Sequence, residues 1–139
     1  MMCARHVSSE FLLFSLVGVA GFLVDAGTLY VSSMMLGLNP YLGRLVSYLA
    51  AATTTWHFNR RFTFTFADTK RPHRQWAKFV ATNAIGGIVN YGVYVAIIIN
   101  APHTTSTLML AVAAGSLSGL VFNFYVSKYY VFSRSWKEN

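Results

Sequence analysis

The chain has 139 residues, of which 55% are hydrophobic, 16% aromatic and only 11% charged. Soluble domains carry roughly 25% charged residues and disordered chains are poor in aromatics, so neither class fits. A formal net charge of +7 would suit a nucleic-acid binder, but the charges are parted by long uncharged runs and gather on no basic face, which excludes that class and points to a membrane.

In chain order, four helices are predicted near 11–34, 42–58, 78–99 and 107–128, within a single domain over 1–139. The first occupies the 33 residues between Glu10 and Arg44, which hold one charge, Asp25. A spanning helix needs roughly 20 residues, so this run suffices. It lacks a clear small-residue cleavage site and is long for a signal-peptide core, so it reads as an uncleaved signal anchor. A turn is expected at "GLNP" (37–40), because Asn and Pro form turns and Pro stops helices. The second helix takes the 15 uncharged residues between Arg44 and Arg60. It is short, so its aromatic and basic end should reach the headgroup layer. A polar loop over 65–77 follows, partly ordered on the headgroups. The 49 uncharged residues between Lys78 and Lys128 hold two spans, broken near "NAPHTTS" (100–106). The fold class expected is therefore all-α: a polytopic membrane protein with four transmembrane helices.

With four spans, both termini and the middle loop share one side. That side carries Arg5, Arg60, Arg61, Lys70, Arg71, Arg74, Lys78, Lys128, Arg134 and Lys137, and the other carries only Arg44. Such a bias over short loops places the termini in the cytoplasm, here the bacterial inner-membrane face. Cys3 is the single cysteine, which leaves no disulfide and no cysteine metal site. His6, His57, His73 and His103 are scattered, without metal-ligand spacing or a Ser/His/Asp set. No Gly-rich phosphate loop is present. No enzyme activity and no cofactor are expected.

The chain also repeats itself. A shift of 68 residues lays Phe11 on Phe79, Gly18 on Gly86, Trp56 on Phe124, Arg60 on Lys128, Phe62 on Tyr130 and Phe64 on Phe132. Each half becomes a two-helix hairpin, and the hairpins are parallel repeats. Interfacial preferences alone would match residue classes but not a shared spacing.

The opening "FLLFSLVGVAGFLVDAGTLY", the "FNRRFTF" that ends helix two and the "NFYVSKYYVF" that ends helix four carry a resemblance. Over about 11–133 the chain resembles the GtrA-like family of small four-helix membrane proteins. The resemblance implies a flippase that moves a polyprenyl-phosphate-linked sugar across the cytoplasmic membrane for glycosylation of surface polysaccharides. A scaffold that recruits a membrane glycosyltransferase is the alternative it also allows, and a small proton-coupled cation exporter is a third reading. One departure is that Thr55 stands where the second half has Asn123, so a site need not be symmetric. The resemblance also points to an acidic residue at the place of Asp25.

Each helix has a polar or small-residue face at spacings of three and four. Helix one has Gly18, Gly21, Asp25, Thr28 and Ser32; helix two has Arg44, Ser47, Tyr48, Ala51, Thr55 and Asn59. Helix three has Asn83, Gly86, Gly87, Asn90 and Tyr94; helix four has Gly115, Ser118, Gly119, Asn123 and Ser127. These faces serve close packing, a polar groove, or both. A flipped lipid keeps its prenyl tail in the bilayer, so only phosphate and sugar must cross. Arg60, Arg61 and Lys128 are candidates for the phosphate on the cytoplasmic side, and Arg44 on the far side. Tyr48, Asn83, Asn90 and Asn123 are candidates for the sugar, and Asn59 lies on the same face of helix two. Arg60, Arg61 and Lys128 also serve topology and lipid anchoring. A mid-bilayer carboxylate is costly, which leaves Asp25 paired with Arg44, on a substrate or proton path, or shallower than the count suggests. Membrane lipids, the lipid-linked sugar, a glycosyltransferase and a second copy of the chain are the expected partners.

Overall fold

The computed structural model describes residues 6–67, 70–102 and 104–133, the side chains of 40 and 41 excepted. Arg5, Arg134, Lys137, Cys3 and His103 lie outside the described residues. Four helices make up most of the described residues: α1 (Val7–Tyr30), α2 (Pro40–Phe58), α3 (Pro72–Asn100) and α4 (Thr105–Val126). Among the described residues there is no strand. The fold is that of an all-α polytopic membrane protein.

Three of the four helices end in one wide π-helical turn: Val31–Met35 after α1, Asn59–Thr63 after α2 and Ser127–Val131 after α4. Each turn closes with a backbone bond five residues back, from Leu36 N–H to the Val31 carbonyl (3.0 Å), Phe64 to Asn59 (2.7 Å) and Phe132 to Ser127 (2.8 Å).

The turn expected at "GLNP" forms by identifiable chemistry. Gly37 takes φ +66°, a conformation that costs glycine nothing. The Asn39 side chain accepts the Leu42 N–H at 2.9 Å, and Pro40 opens α2 where a missing N–H is harmless. Thr104 caps α4 likewise, accepting the Thr107 N–H at 3.2 Å. The third helix starts at Pro72, six residues before the predicted boundary. Its first turns are polar and lie beyond the apolar run, so an uncharged-run count misses them, while Pro at its first position marks the true start.

Including their wide turns, α1 and α4 run Val7–Met35 and Thr105–Val131, and these with α3 are long and apolar enough to cross a membrane. The remaining helix, α2 with its turn, spans Pro40–Thr63. Ser47, Tyr48, Thr53, Thr54, Thr55 and His57 dilute its apolar character. At 1.5 Å per residue it still reaches roughly 36 Å, enough for a hydrocarbon core of about 30 Å. Its threonines satisfy their hydroxyls on its own backbone: Thr53, Thr54 and Thr55 donate to carbonyls three or four residues back.

The strongest packing is within hairpins, α1 on α2 and α3 on α4. The hairpins join at the end where α1 and α3 begin and α2 and α4 finish, hereafter the basic end. Phe14, Phe64, Phe79, Phe124, Val131 and Phe132 form a buried cluster there. Phe64 and Phe132, positions 68 apart, stack on each other with centroids 4.9 Å apart and planes 22° apart. The two wide turns at this end begin at 59 and 127, the same 68-residue interval. At this end the repeat read from the sequence is thus matched by a repeat of backbone geometry. Elsewhere large apolar side chains such as Leu16, Phe22, Leu23, Ile88, Met109 and Leu117 face outward, as a bilayer-embedded surface requires.

Candidate functional site

The polar side chains singled out from the sequence fall into three places. At the end opposite the basic end, Arg44 and Asp25 form an ion pair, with Nη1 to Oδ2 at 2.5 Å. The Asp25 side chain is 20% exposed and that of Arg44 59%. Arg44 also donates to the Ser47 hydroxyl at 3.4 Å, and the second Asp25 oxygen, Oδ1, is buried without a hydrogen-bond partner. The pair is the first of the three readings the sequence left open for Asp25, and the reach is supplied because α2 comes back close along α1. Buried Gly43 sits against Leu29, Ser32 and Ser33, where a Cβ would come within 2.6 Å of the Ser33 hydroxyl. Asp25 is one turn below Leu29, a span of about 5.4 Å that an arginine side chain covers.

The amides line the α3–α4 seam without converging on a common space. Asn83 donates to the Phe79 carbonyl of its own helix at 2.9 Å. Asn90 lies against Gly115 and Gly119, where a Cβ on Gly115 would stand 2.6 Å from the Asn90 carbonyl oxygen. Asn123 rests directly on Gly86, and its Oδ1 is buried without a partner. In the other hairpin Thr55 packs its methyl on Gly21, so the Thr55/Asn123 difference swaps an apolar seam for a polar one. Tyr48 belongs to neither seam. It donates across the hairpins to the Val80 carbonyl at 2.7 Å.

The basic end holds the rest. Asn59 is buried in its wide turn and accepts the Thr63 hydroxyl at 2.9 Å. Arg60 lies over the Trp56 ring at 5.4 Å, and Arg61, exposed, near the Phe62 ring at 5.9 Å. Lys128 is not presented outward. It forms an ion pair with Glu10, the two side chains being 13% and 5% exposed, and its ammonium lies 6.0 Å from the Phe124 ring. Glu10 entered the sequence reading only as the border of an apolar run. The signal available was that α1 starts and α4 finishes on one side, with Glu10 and Lys128 each at the edge of an apolar run. Gln75 was also missed. It is buried and accepts the Trp56 indole N–H at 3.2 Å, beside a second indole bond from Trp76 to Thr53 at 3.0 Å.

Chemically, most of these groups hold the bundle together. Asp25, Tyr48, Asn59, Asn83 and Lys128 all spend bonds inside it, whereas Arg61 and much of Arg44 face outward. Among the described residues no three His, Cys, Asp or Glu side chains gather as a metal site would require.

A bundle of paired hairpins, apolar outside, tied by ion pairs and basic at one end, is a multi-pass membrane protein. Residues 13–136 match the family model described as GtrA/DPMS, transmembrane domain. The chain belongs to that family, which agrees with the resemblance carried by its two repeated endings. Membership sets the chain among membrane proteins of lipid-linked sugar translocation or glycosylation. No curated protein matches it.

Proposed function

We propose that this protein is a flippase that moves a polyprenyl-phosphate-linked sugar across the bacterial cytoplasmic membrane, for glycosylation of a surface polysaccharide. The basic end faces the cytoplasm, with both termini. The observation that carries the reading is a family member with outward-facing cations at both ends, Arg61 beside Arg60 at one and Arg44, 59% exposed, at the other. A phosphate leaving one interface and arriving at the other would find a charge-assisted donor on each side. The prenyl chain stays in lipid against the apolar outer surface. No catalytic residue and no cofactor enter this reading, and movement is downhill exchange, with Asp25 as the candidate for proton coupling. Tyr48, Asn59, Asn83, Asn90 and Asn123 supply hydrogen bonds to the sugar only if the seams open, since the closed bundle occupies most of them. A second copy of the chain would enlarge the space that four helices enclose.

The internal commitment of those polar groups favours a second reading, a scaffold that recruits a polyprenyl-phosphate glycosyltransferase through the outer surface alone. Reconstitution decides between them. The purified protein in liposomes should accelerate transbilayer movement of a labelled polyprenyl-phosphate sugar. Movement no faster than in protein-free liposomes, together with co-purification of a glycosyltransferase, would reject the flippase in favour of the scaffold.

A further inference from the structure

At the basic end, α1 and α4 meet through Phe11 and Phe14, both edge-on to Phe124, and through the ion pair of Glu10 with Lys128. The Lys128 ammonium lies 5.7 Å from the centre of the Tyr129 ring, and that ring is exposed. A cation one ring beneath the surface is thus held by an internal carboxylate. Its neighbours on α4 lack partners altogether. Ser127 is fully buried, yet its Oγ makes no hydrogen bond. Ser15, Ser32 and Ser118 each donate to the carbonyl four residues back, and Ser127 does not. Its counterpart in the first half, Asn59, accepts the Thr63 hydroxyl, but Val131 stands where a second threonine would be needed. One turn before Ser127, on the same face of α4, the Oδ1 of Asn123 is also buried without a partner. Buried oxygens left unpaired cost stability that a ligand carrying hydroxyls can return.

A phosphate brought up to the closed pair would meet the Glu10 carboxylate as well as the ammonium, so the two anions exclude each other. Exchange of one for the other keeps Lys128 neutralised throughout. Glu10 lies in the first turn of α1, and once released it stays beside a helix N-terminus, which favours negative charge. We propose that Glu10 is a latch: a lipid phosphate displaces it from Lys128, and the sugar on that phosphate then hydrogen-bonds to Ser127 Oγ and Asn123 Oδ1. The inference rests on the proposed function in taking a lipid-linked sugar as ligand, and it adds Glu10 and Ser127 to the residues that handle it. The latch also ties headgroup arrival to movement of the helices, because the pair it breaks is one that joins α1 to α4.

The test uses the full chain in detergent, titrated with phosphatidylglycerol, polyprenyl phosphate or glucosyl polyprenyl phosphate, with retained lipid read by native mass spectrometry and thermal stability read beside it. Glu10→Gln destabilises the lipid-free protein by stranding Lys128, and a purely structural pair predicts nothing more. A latch predicts a gain: retention of both polyprenyl lipids should rise about tenfold, the scale of one charge-assisted contact, and each lipid should raise the melting temperature of Glu10→Gln more than that of the wild type. Glu10→Asp, one methylene shorter, keeps the acid and should show a smaller gain in the same direction. Adding Lys128→Gln to Glu10→Gln should abolish the gain. A parallel gain for phosphatidylglycerol marks Lys128 as a seat for lipid phosphates in general, and a gain confined to the polyprenyl lipids marks it as selective; either supports the latch. Ser127→Ala should keep or raise stability and retain polyprenyl phosphate as the wild type does, but lose about fivefold in retention of the glucosyl lipid, the scale of one neutral hydrogen bond. Retention no higher than wild type in folded Glu10→Gln or Glu10→Asp would overturn the latch. Equal effects of Ser127→Ala on the two polyprenyl lipids would overturn the sugar contact. Failure of flipping in liposomes with these binding changes intact would strike the flippase reading and leave the site standing.

Discussion

The Asp25–Arg44 pair makes an asymmetric prediction. Arg44 is 59% exposed and its long stem can lift the guanidinium to the headgroups, whereas Asp25 is 20% exposed and fixed on α1. Removing the acid therefore strands a cation that can escape. Removing the arginine strands a carboxylate that cannot, with Oδ1 already lacking a partner and Oδ2 newly without one. A stranded carboxylate costs about 2.5–3.5 kcal/mol at mid-bilayer on insertion scales, less if it takes a proton. Loss of a half-exposed pair whose remaining charge rehydrates costs about 1 kcal/mol or less. Asp25→Asn should accordingly destabilise by about 1 kcal/mol and Arg44→Gln by about 2–3 kcal/mol. The double variant should stand near Asp25→Asn, because no stranded charge remains in either. Reversible unfolding in mixed micelles gives all three values, and liposome flipping is read beside them. Additive losses, or a larger loss for Asp25→Asn than for Arg44→Gln, would refute the argument from burial. Flipping should fall sharply in Asp25→Asn although the protein stays folded. Undiminished flipping there would falsify a transport role for Asp25 and leave it a structural partner.

Three further outcomes follow from other parts of the molecule. Glu10→Gln leaves Lys128 buried without its acid and should cost about 3–5 kcal/mol, while replacing both by Met should cost much less, as unfolding in micelles will show. Gly86→Ala would drive a methyl into the Asn123 amide and should lower stability by about 1–3 kcal/mol. Its repeat counterpart Gly18 has nothing within 4 Å of a built Cβ, so Gly18→Ala should be neutral or stabilise by up to about 1 kcal/mol; equal effects at the two glycines would contradict the seam described. Reporter fusions after Lys70 and at the C-terminus should report cytoplasm and one at Asn39 the outside, and an external signal at Lys70 would break the proposed orientation.

The helices were legible because uncharged runs and turn residues are both written locally. The "GLNP" turn needs only Gly37, Asn39 and Pro40 to be read, and each acts within a few residues of itself. The repeat was legible for the same reason, as a fixed spacing between Arg60 and Lys128 and between Phe64 and Phe132. What could not be read was contact across the bundle. Glu10 and Lys128 lie 118 positions apart, and nothing near either one announces the other. The Asp25–Arg44 pair could be read only as one of three states of Asp25, because the distance depends on how tightly a buried glycine lets α2 return. The polar faces were found only in part: Gly21, Gly86, Gly115 and Gly119 meet the neighbouring helix, whereas Gly18 and Gly87 are exposed with nothing within 4 Å of a built Cβ. Spacing gives only the side of a helix. Whether that side meets a carbonyl, as Asn83 does, or a glycine across the seam, as Asn123 does, is set by the neighbouring helix.

A parallel repeat puts both hairpins the same way up, so equivalent residues sit at equal depth and meet the same chemical layer of the bilayer. Differences between the halves are therefore not answers to a different layer of the bilayer. The buried frame is shared: wide turns begin at Asn59 and Ser127, and Phe64 and Phe132 stack on each other. The divergence lies in the seams within the hairpins. One helix–helix seam is closed by the Thr55 methyl on Gly21, the other by the Asn123 amide on Gly86. An amide with a buried, unpartnered oxygen is held in the seam by packing alone, and a hydroxyl-bearing ligand would give it a bond that the closed protein does not. The α3–α4 seam thus loses less on opening to a polar guest than the α1–α2 seam, whose threonine hydroxyl is already bonded to its own helix. On the flippase reading, the sugar should follow the second hairpin.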